Sequence, residues 1–262
     1  MEYQKAKDVF NRVSKISGWF SREAALVLSI VNTVQRQNHF EGDIFEIGVH
    51  HGKSALFFHH FLVQEEKLCV CDIFGDQAMN VSQSGGGDKS VFLGNCTRIL
   101  GNPSIQIFEK LSTDLTVDEI GRTYRLFHVD GGHSYEEALA DLLLAKQALR
   151  DYGVIVLDDP FRHEWPGVTE AIIEFLKIST DFSALLIGFN KLLLVRDSVK
   201  TVYAKVFDDA SGRAAYGLGF PWAYKRMTLS GKDMRCFYMP TYLQNPSWRV
   251  RIHLLLKQLG LR

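Results

Sequence analysis

The chain has 262 residues, 46% of them hydrophobic and 18 of them phenylalanine, which suits one α/β domain with a sizeable core and argues against a disordered chain. Thirty basic residues balance thirty acidic ones, so the basic excess of a nucleic-acid binder is missing. No uninterrupted apolar run reaches the ~20 residues that a membrane span requires, which excludes stable insertion by a helix.

In chain order, Ser21 to Gln35 is helical in pattern. Ser21 is a candidate cap, Glu23 falls in the first turn, and Ala24, Ala25, Leu28 and Val31 line one side. Asp43 to Gly48 is a first strand that stops at a glycine, Gly52 to Val63 a helix, and Lys67 to Asp72 a second strand ending in acid. Gly75 to Asp88, with Ser84-Gly-Gly-Gly87 inside it, is irregular and reads as a surface loop or a lid. Ser104–Phe108, Tyr124–Val129 and Val154–Leu157 are the third to fifth strands, with a helix over Tyr135–Arg150 between the last two. A helix over Gly167–Lys177 follows. Phe182–Ile187 and Lys191–Val195 then form an antiparallel pair about a turn at Gly188-Phe-Asn190.

Strands alternating with helices predict an α/β fold, a doubly wound sheet with helices on both faces. From Asp197 the alternation stops. The organisation expected is a domain over 1–196, N-terminal helix included, and an extension over 197–262 outside the sheet, serving the acceptor site or a dimer contact. Trp248 to Leu261 is a basic amphipathic helix candidate that docks on the domain, joins two copies or touches a membrane surface. A homo-oligomer stays open. Cys69 and Cys71 share a face of the second strand, which suits neither a disulfide nor a zinc site; with Cys96 and Cys236 they read as reduced thiols. Met1-Glu-Tyr-Gln-Lys5 opens polar, with no short apolar core after it, so a soluble cytoplasmic protein is expected.

Two apolar runs end in acid: Phe127-His-Val-Asp130-Gly-Gly-His133-Ser-Tyr135 and Val154-Ile-Val-Leu-Asp158-Asp159-Pro160. As a strand–helix–strand unit they bring Asp130, Asp158 and Asp159 to the carboxyl ends of two strands, which face the ligand crevice of an open parallel sheet. Three carboxylates there repel one another unless a cation or a proton neutralises them. At the other end of the crevice, Glu46-Ile-Gly48-Val-His-His-Gly52-Lys-Ser54 turns the first strand into its helix, and Asp72 is placed to accept from a ribose diol. The Gly48-x-x-x-Gly52 spacing lacks the third glycine of a dinucleotide site. A carboxylate at 46 suits an amine-bearing ligand better than a phosphate.

Together these motifs, with Asp141 and Pro166-Gly-Val168, resemble the class I S-adenosylmethionine-dependent methyltransferases over about residues 40–196. Within that class they resemble the small-molecule O-methyltransferases whose fourth strand ends in D-G-x-H-x-Y and whose fifth ends in D-D. The resemblance implies a Rossmann-like sheet of seven strands in the order 3-2-1-4-5-7-6, the last strand antiparallel. It implies a cofactor set of Glu46, Gly48, Gly52, Ser54, Asp72, Ser112 and Asp130. In that set Gly48 and Gly52 lie at the methionine end, Asp72 on the ribose and Ser112 near the adenine. It also implies that Asp130, Asp158 and Asp159 hold a magnesium ion, for which hard oxygen donors are suited.

The reaction expected is transfer of the methyl group of S-adenosylmethionine to a hydroxyl of a small molecule, a sugar or another natural product. His133 is the candidate base, because an ordinary imidazole accepts a proton near neutral pH, with Asp130 beside it. Duller readings stand next to these. Asp158-Asp159-Pro160 also reads as a turn with a helix cap, and His133 as a helix-start residue. Trp165 is a candidate wall of the acceptor pocket or a core aromatic, whereas His50 and His51 read as loop residues exposed to solvent, with a substrate contact by one of them as the alternative. Two rival functions share the pattern: an NAD(P)-dependent oxidoreductase, and a degenerate methyltransferase-fold scaffold without activity.

Overall fold

The computed structural model describes residues 2–76, 78, 80, 85–101, 103–219 and 221–240. Ser84 of the glycine-rich loop and the whole Trp248–Leu261 helix candidate lie outside the described residues.

The chain opens with α1 (Glu2–Val13) and α2 (Arg22–Gln37) and continues with β1 (Asp43–Ile47), α3 (Lys53–Phe58) and β2 (Leu68–Cys71). Next come α4 (Lys89–Leu100), β3 (Ile105–Phe108), α5 (Val117–Ile120), β4 (Tyr124–Val129), α6 (Tyr135–Ala148), β5 (Leu149–Asp158) and α7 (Pro166–Ile178). The strands β6 (Phe182–Gly188) and β7 (Lys191–Arg196) follow, then α8 (Asp197–Asp208), α9 (Ala210–Ala215), β8 (Ala223–Leu229) and β9 (Lys232–Tyr238). Local chemistry sets the helix starts. Ser21 accepts a hydrogen bond from the Ala24 amide, and Ser134 with Glu137 closes a capping box on α6.

The described strands form one mixed sheet in the order β3-β2-β1-β4-β5-β7-β6-β9-β8. The first five pair in parallel, and β7 runs antiparallel between β5 and β6. The expected seven-strand order is therefore present, but the sheet has nine strands. The expectation that residues beyond 197 stay outside it is corrected: β9 adds in parallel to β6, and β8 pairs antiparallel with β9 about Ser230 and Gly231, both at positive φ. Four central residues of β8 are exposed, so this polar strand lacks the apolar alternation by which strands are read. Polar character of this kind protects a sheet edge from pairing with other chains.

Period-two alternation sorts the core. Ile44, Leu126, Val154 and Val156 face α1, α2, α3, α4 and α8. Phe45, Ile47, Phe127, Val129, Ile155 and Leu157 face α5, α6 and α7. Cys69 and Cys71 are buried free thiols on the second of these faces, as their spacing predicts. The helix α1 lies ahead of the first helix read from the sequence. Its buried Ala6, Val9 and Val13 keep helical spacing, a signal present in the sequence but diluted by polar neighbours. Among the described residues no helix is long and apolar enough to cross a membrane.

Candidate active site

A cavity of about 390 Å³ runs along the carboxyl edge of the sheet, within the usual range for small-molecule sites. Its walls follow the strand order: Ser112 beyond β3, Asp72 beyond β2, Gly48 beyond β1, Asp130 beyond β4, Asp158 and Asp159 at the end of β5, and Asn190 before β7. Six lining residues are glycines, so backbone comes close to whatever fills the cavity.

At the β1 end Gly48 has φ 79, and a Cβ there would lie 1.7 Å from the Asp130 carbonyl oxygen. Gly52 caps α3 at φ 88, but it packs on the Phe92 ring and does not line the cavity. Asp72 lines the cavity as expected, but its carboxylate also organises the loop. One oxygen accepts from the Val49 and His50 amides at 2.6 and 2.8 Å, the other from the Phe74 amide at 2.5 Å. These amides therefore point at Asp72 and are not presented as a ligand cradle.

Glu46 and Ser54 are set apart from the cavity. Glu46 is fully buried with Oε1 2.8 Å from His128 Nδ1, its register partner on β4, and Ser54 is buried in the first turn of α3. Strand alternation carries the signal: Glu46 points away from the face of Phe45 and Ile47. Burial raises its pKa to about 8, with Ser54 and Lys191 pulling it partly back. Burial, then the charge of Lys191, lowers His128 well below the ordinary imidazole value, so the pair is neutral at neutral pH. The unfolded Glu46 ionises near 4.5 and the folded one near 8, so the unfolded chain loses a proton first and folding stability falls as pH rises through that window. Glu46→Gln, which keeps the shape without the proton, is expected to remove this slope. The gain at pH 8 relative to pH 4.5 is a few kcal/mol, at about 1.4 kcal/mol per pKa unit. Urea unfolding of variant and parent at both pH values reads it, and equal slopes would refute it.

At the chemical end, ligand atoms converge within 4.8 Å in two sets among the described residues: Asp130 with His133 and Asp159, and Asp130 with His128 and Asp158. Neither is the expected set of three acids. His133 Nε2 lies 3.0 Å from Asp159 Oδ2, and the His133 ring packs on Trp165 with centroids 4.2 Å apart. Asp159 Oδ1 accepts from Asn190 Nδ2 at 2.8 Å and from Arg162 at 3.0 Å. Burial opposes the charge of Asp159, but the hydrogen bonds from His133, Asn190 and Arg162 outweigh it and hold the acid at about 2. An anionic Asp159 favours the tautomer with the imidazole proton on Nε2.

Asp158 accepts from Asn190 Nδ2 at 2.7 Å and from the Asp159 amide at 2.9 Å, and its other oxygen is ion-paired with Lys191. Burial, then the charge of Asp158, lifts Asp130 well above the usual carboxylate range. The neutralisation required by the sequence is thus met by a buried ammonium beside Asp158, while burial disfavours the charge of Asp130. In this arrangement the acids do not fit a magnesium ion: the oxygens of Asp158 and Asp159 are taken by protein donors, and a fixed positive charge adjoins them.

Sequence reading missed Lys191, Asn190 and Arg162, and also Trp19, a cavity-lining residue that is 75% exposed and tilted over His50 with ring centroids 5.5 Å apart. His50 lines the cavity at φ 52, and Asp159 and Asn190 sit at φ 53 and 62, so the crevice is ringed by non-glycine residues in an uncommon backbone region. Trp165 lines the cavity as expected.

The sheet and its helices are those of the Rossmann-like methyltransferase fold, and residues 45–160 match the family described as "Methyltransferase domain". Among solved structures, the O-methyltransferase NovP superposes with a TM-score of 0.55 at 16% identity, over 67% of this chain and 81% of that one. An O-methyltransferase from Bacillus cereus in complex with SAH superposes with a TM-score of 0.51 at 13% identity, over 75% of this chain and 90% of that one. At such identities the likeness is one of fold. No curated protein matches the sequence.

Proposed function

We propose that this protein is an S-adenosylmethionine-dependent methyltransferase that acts on a hydroxyl of a small molecule, a sugar or another natural product. The observation that carries the reading is the continuous cavity with Gly48, Asp72 and Ser112 towards one end of the sheet edge and Asp130, His133 and Trp165 towards the other. The match of residues 45–160 to a methyltransferase domain supports it. The cavity fits the cofactor in size and in its glycine lining, with Asp72 as the ribose partner and Ser112 near the adenine. When bound, S-adenosylmethionine supplies an electrophilic methyl group on a sulfonium.

The chain's residues then account for the acceptor side. His133 takes the hydroxyl proton at Nδ1 while Asp159 holds Nε2–H, so the imidazole keeps one orientation as it becomes charged. Trp165 packs against the imidazole, limits its rotation and excludes water from that side. Asp130, whose charge burial and Asp158 disfavour, lies beside His133. Holding the oxygen in line with the methyl group supplies much of the rate.

Calorimetric titration with S-adenosylhomocysteine, with NAD as control, tests the reading. Binding in the micromolar range by the first and none by the second is expected. A folded protein silent to S-adenosylhomocysteine would remove the cofactor assignment, and binding of NAD alone would revive the oxidoreductase reading.

A further inference from the structure

The acid cluster at the end of β5 carries its own cation. Lys191 is the first residue of β7 and the antiparallel register partner of Asp158, so both side chains project from the same face of the sheet. The ion pair is closed to solvent, with side chains only 3% and 5% exposed. The lysine stem is buried and its Nζ lies 5.8 Å over the Phe20 ring, which leaves little room for the ammonium to swing away. Carboxyl groups near this ammonium are those of Asp158, Asp130 and Asp159, with neutral Glu46 and His128 beneath.

We propose that the Lys191 ammonium stands in for a divalent metal ion in this site, so that the chain holds its acid cluster together and works without one. The inference rests on the methyltransferase reading for its catalytic meaning, but not for its geometry. A metal needs open carboxylate oxygens and several waters. Here both Asp158 oxygens and both Asp159 oxygens already accept from protein donors. Lys191 does not line the cavity, so it is a positioning residue: it anchors Asp158, Asn190 bridges Asp158 to Asp159, and Asp159 orients His133. A single fixed charge suits this task because an ammonium needs no open coordination positions and presents three donors.

The experiment is titration of manganese(II) into the purified full chain, followed by loss of the free-ion electron paramagnetic resonance signal. The wild-type chain is expected to leave the signal unchanged. Lys191→Met, which keeps length without charge, is expected to deplete it, and a Lys191→Met/Asp158→Asn double variant to restore it. A merely structural lysine would not create a metal site on removal. Stoichiometric manganese uptake by the wild-type chain would overturn the proposal, as would a folded Lys191→Met variant that takes up none. Where Lys191→Met does not fold, the wild-type titration decides alone. S-adenosylhomocysteine calorimetry on the same samples separates the two readings, because its failure would sink the methyltransferase assignment and leave the manganese result standing.

Discussion

Gly48→Ala is expected to abolish folding or to remove most of the chain's stability. Two costs combine at this position. The backbone sits at φ 79, which any L side chain adopts with strain worth about 1–2 kcal/mol. The added Cβ would also lie 1.7 Å from the Asp130 carbonyl oxygen and 2.4 Å from its carbonyl carbon. Those are backbone atoms, so no rotamer change relieves the overlap. They are held in place, because the Gly48 amide donates to Cys71 O and the Asp130 amide to Ile47 O, each at 2.9 Å. Relief requires β1 and β4 to part at their carboxyl ends, which opens the centre of the sheet. Such clashes cost roughly 4 kcal/mol or more, against a total stability of about 5–15 kcal/mol for a domain. Gly121→Ala supplies the control: its φ is 88, but a Cβ there would meet nothing within 4 Å. Its ψ of −177 completes a backbone conformation essentially reserved for glycine, so the variant should show the conformational cost alone, about 1–3 kcal/mol. Urea unfolding of the two variants separates clash from strain, and equal midpoints would show that the contact with Asp130 is not what demands glycine.

His133→Gln is expected to lower kcat for methyl transfer to a hydroxylated acceptor by about 10²–10⁴-fold, the usual worth of a positioned proton acceptor. S-adenosylhomocysteine affinity should stay close to that of the parent, because His133 lies at the opposite end of the cavity from Asp72 and Ser112. The size of the effect follows from how firmly the imidazole is held, by Asp159 at 3.0 Å on one edge and Trp165 across its face. Asp159→Asn should cost less, because Asn can still hydrogen-bond to Nε2 but no longer fixes the tautomer by charge. Product formation followed beside calorimetry reads both variants. A His133→Gln variant with unchanged kcat, or one that loses kcat and cofactor product affinity together, would remove His133 from the role of base.

Much of the architecture was legible because its signals are local. The strand over Tyr124–Val129 was read with its observed bounds, since apolar residues run unbroken to an acid and a glycine pair. The strand β5 begins at Leu149, earlier than expected, because Arg150 and Asp151 are exposed and break the apolar run. Asp130, Asp158 and Asp159 read as one cluster from the strand ends, with His133 three residues past Asp130 at the start of the next helix, and the structure brings all four to one cavity. Glu46 was read as facing a ligand from its nearness to Gly48. Alternation along β1 turns it to the other face, where it meets His128.

The amino-acid sequence by itself determined the first seven strands in their order, the glycine turn after β1, and the convergence of acids on one edge of the sheet. These follow from periodicity, from backbone angles only glycine accepts readily, and from the rule that parallel strands end together. Only the tertiary structure decided how those acids are neutralised. Lys191 opens its strand as an unremarkable charged residue, and its importance arises because β7 runs antiparallel beside β5 and pairs residue 191 with residue 158. Strand register between segments distant in the chain is set by packing on both faces of the sheet, not by anything the neighbouring residues of Lys191 encode. In a buried site, that register selects which charge the carboxylates meet.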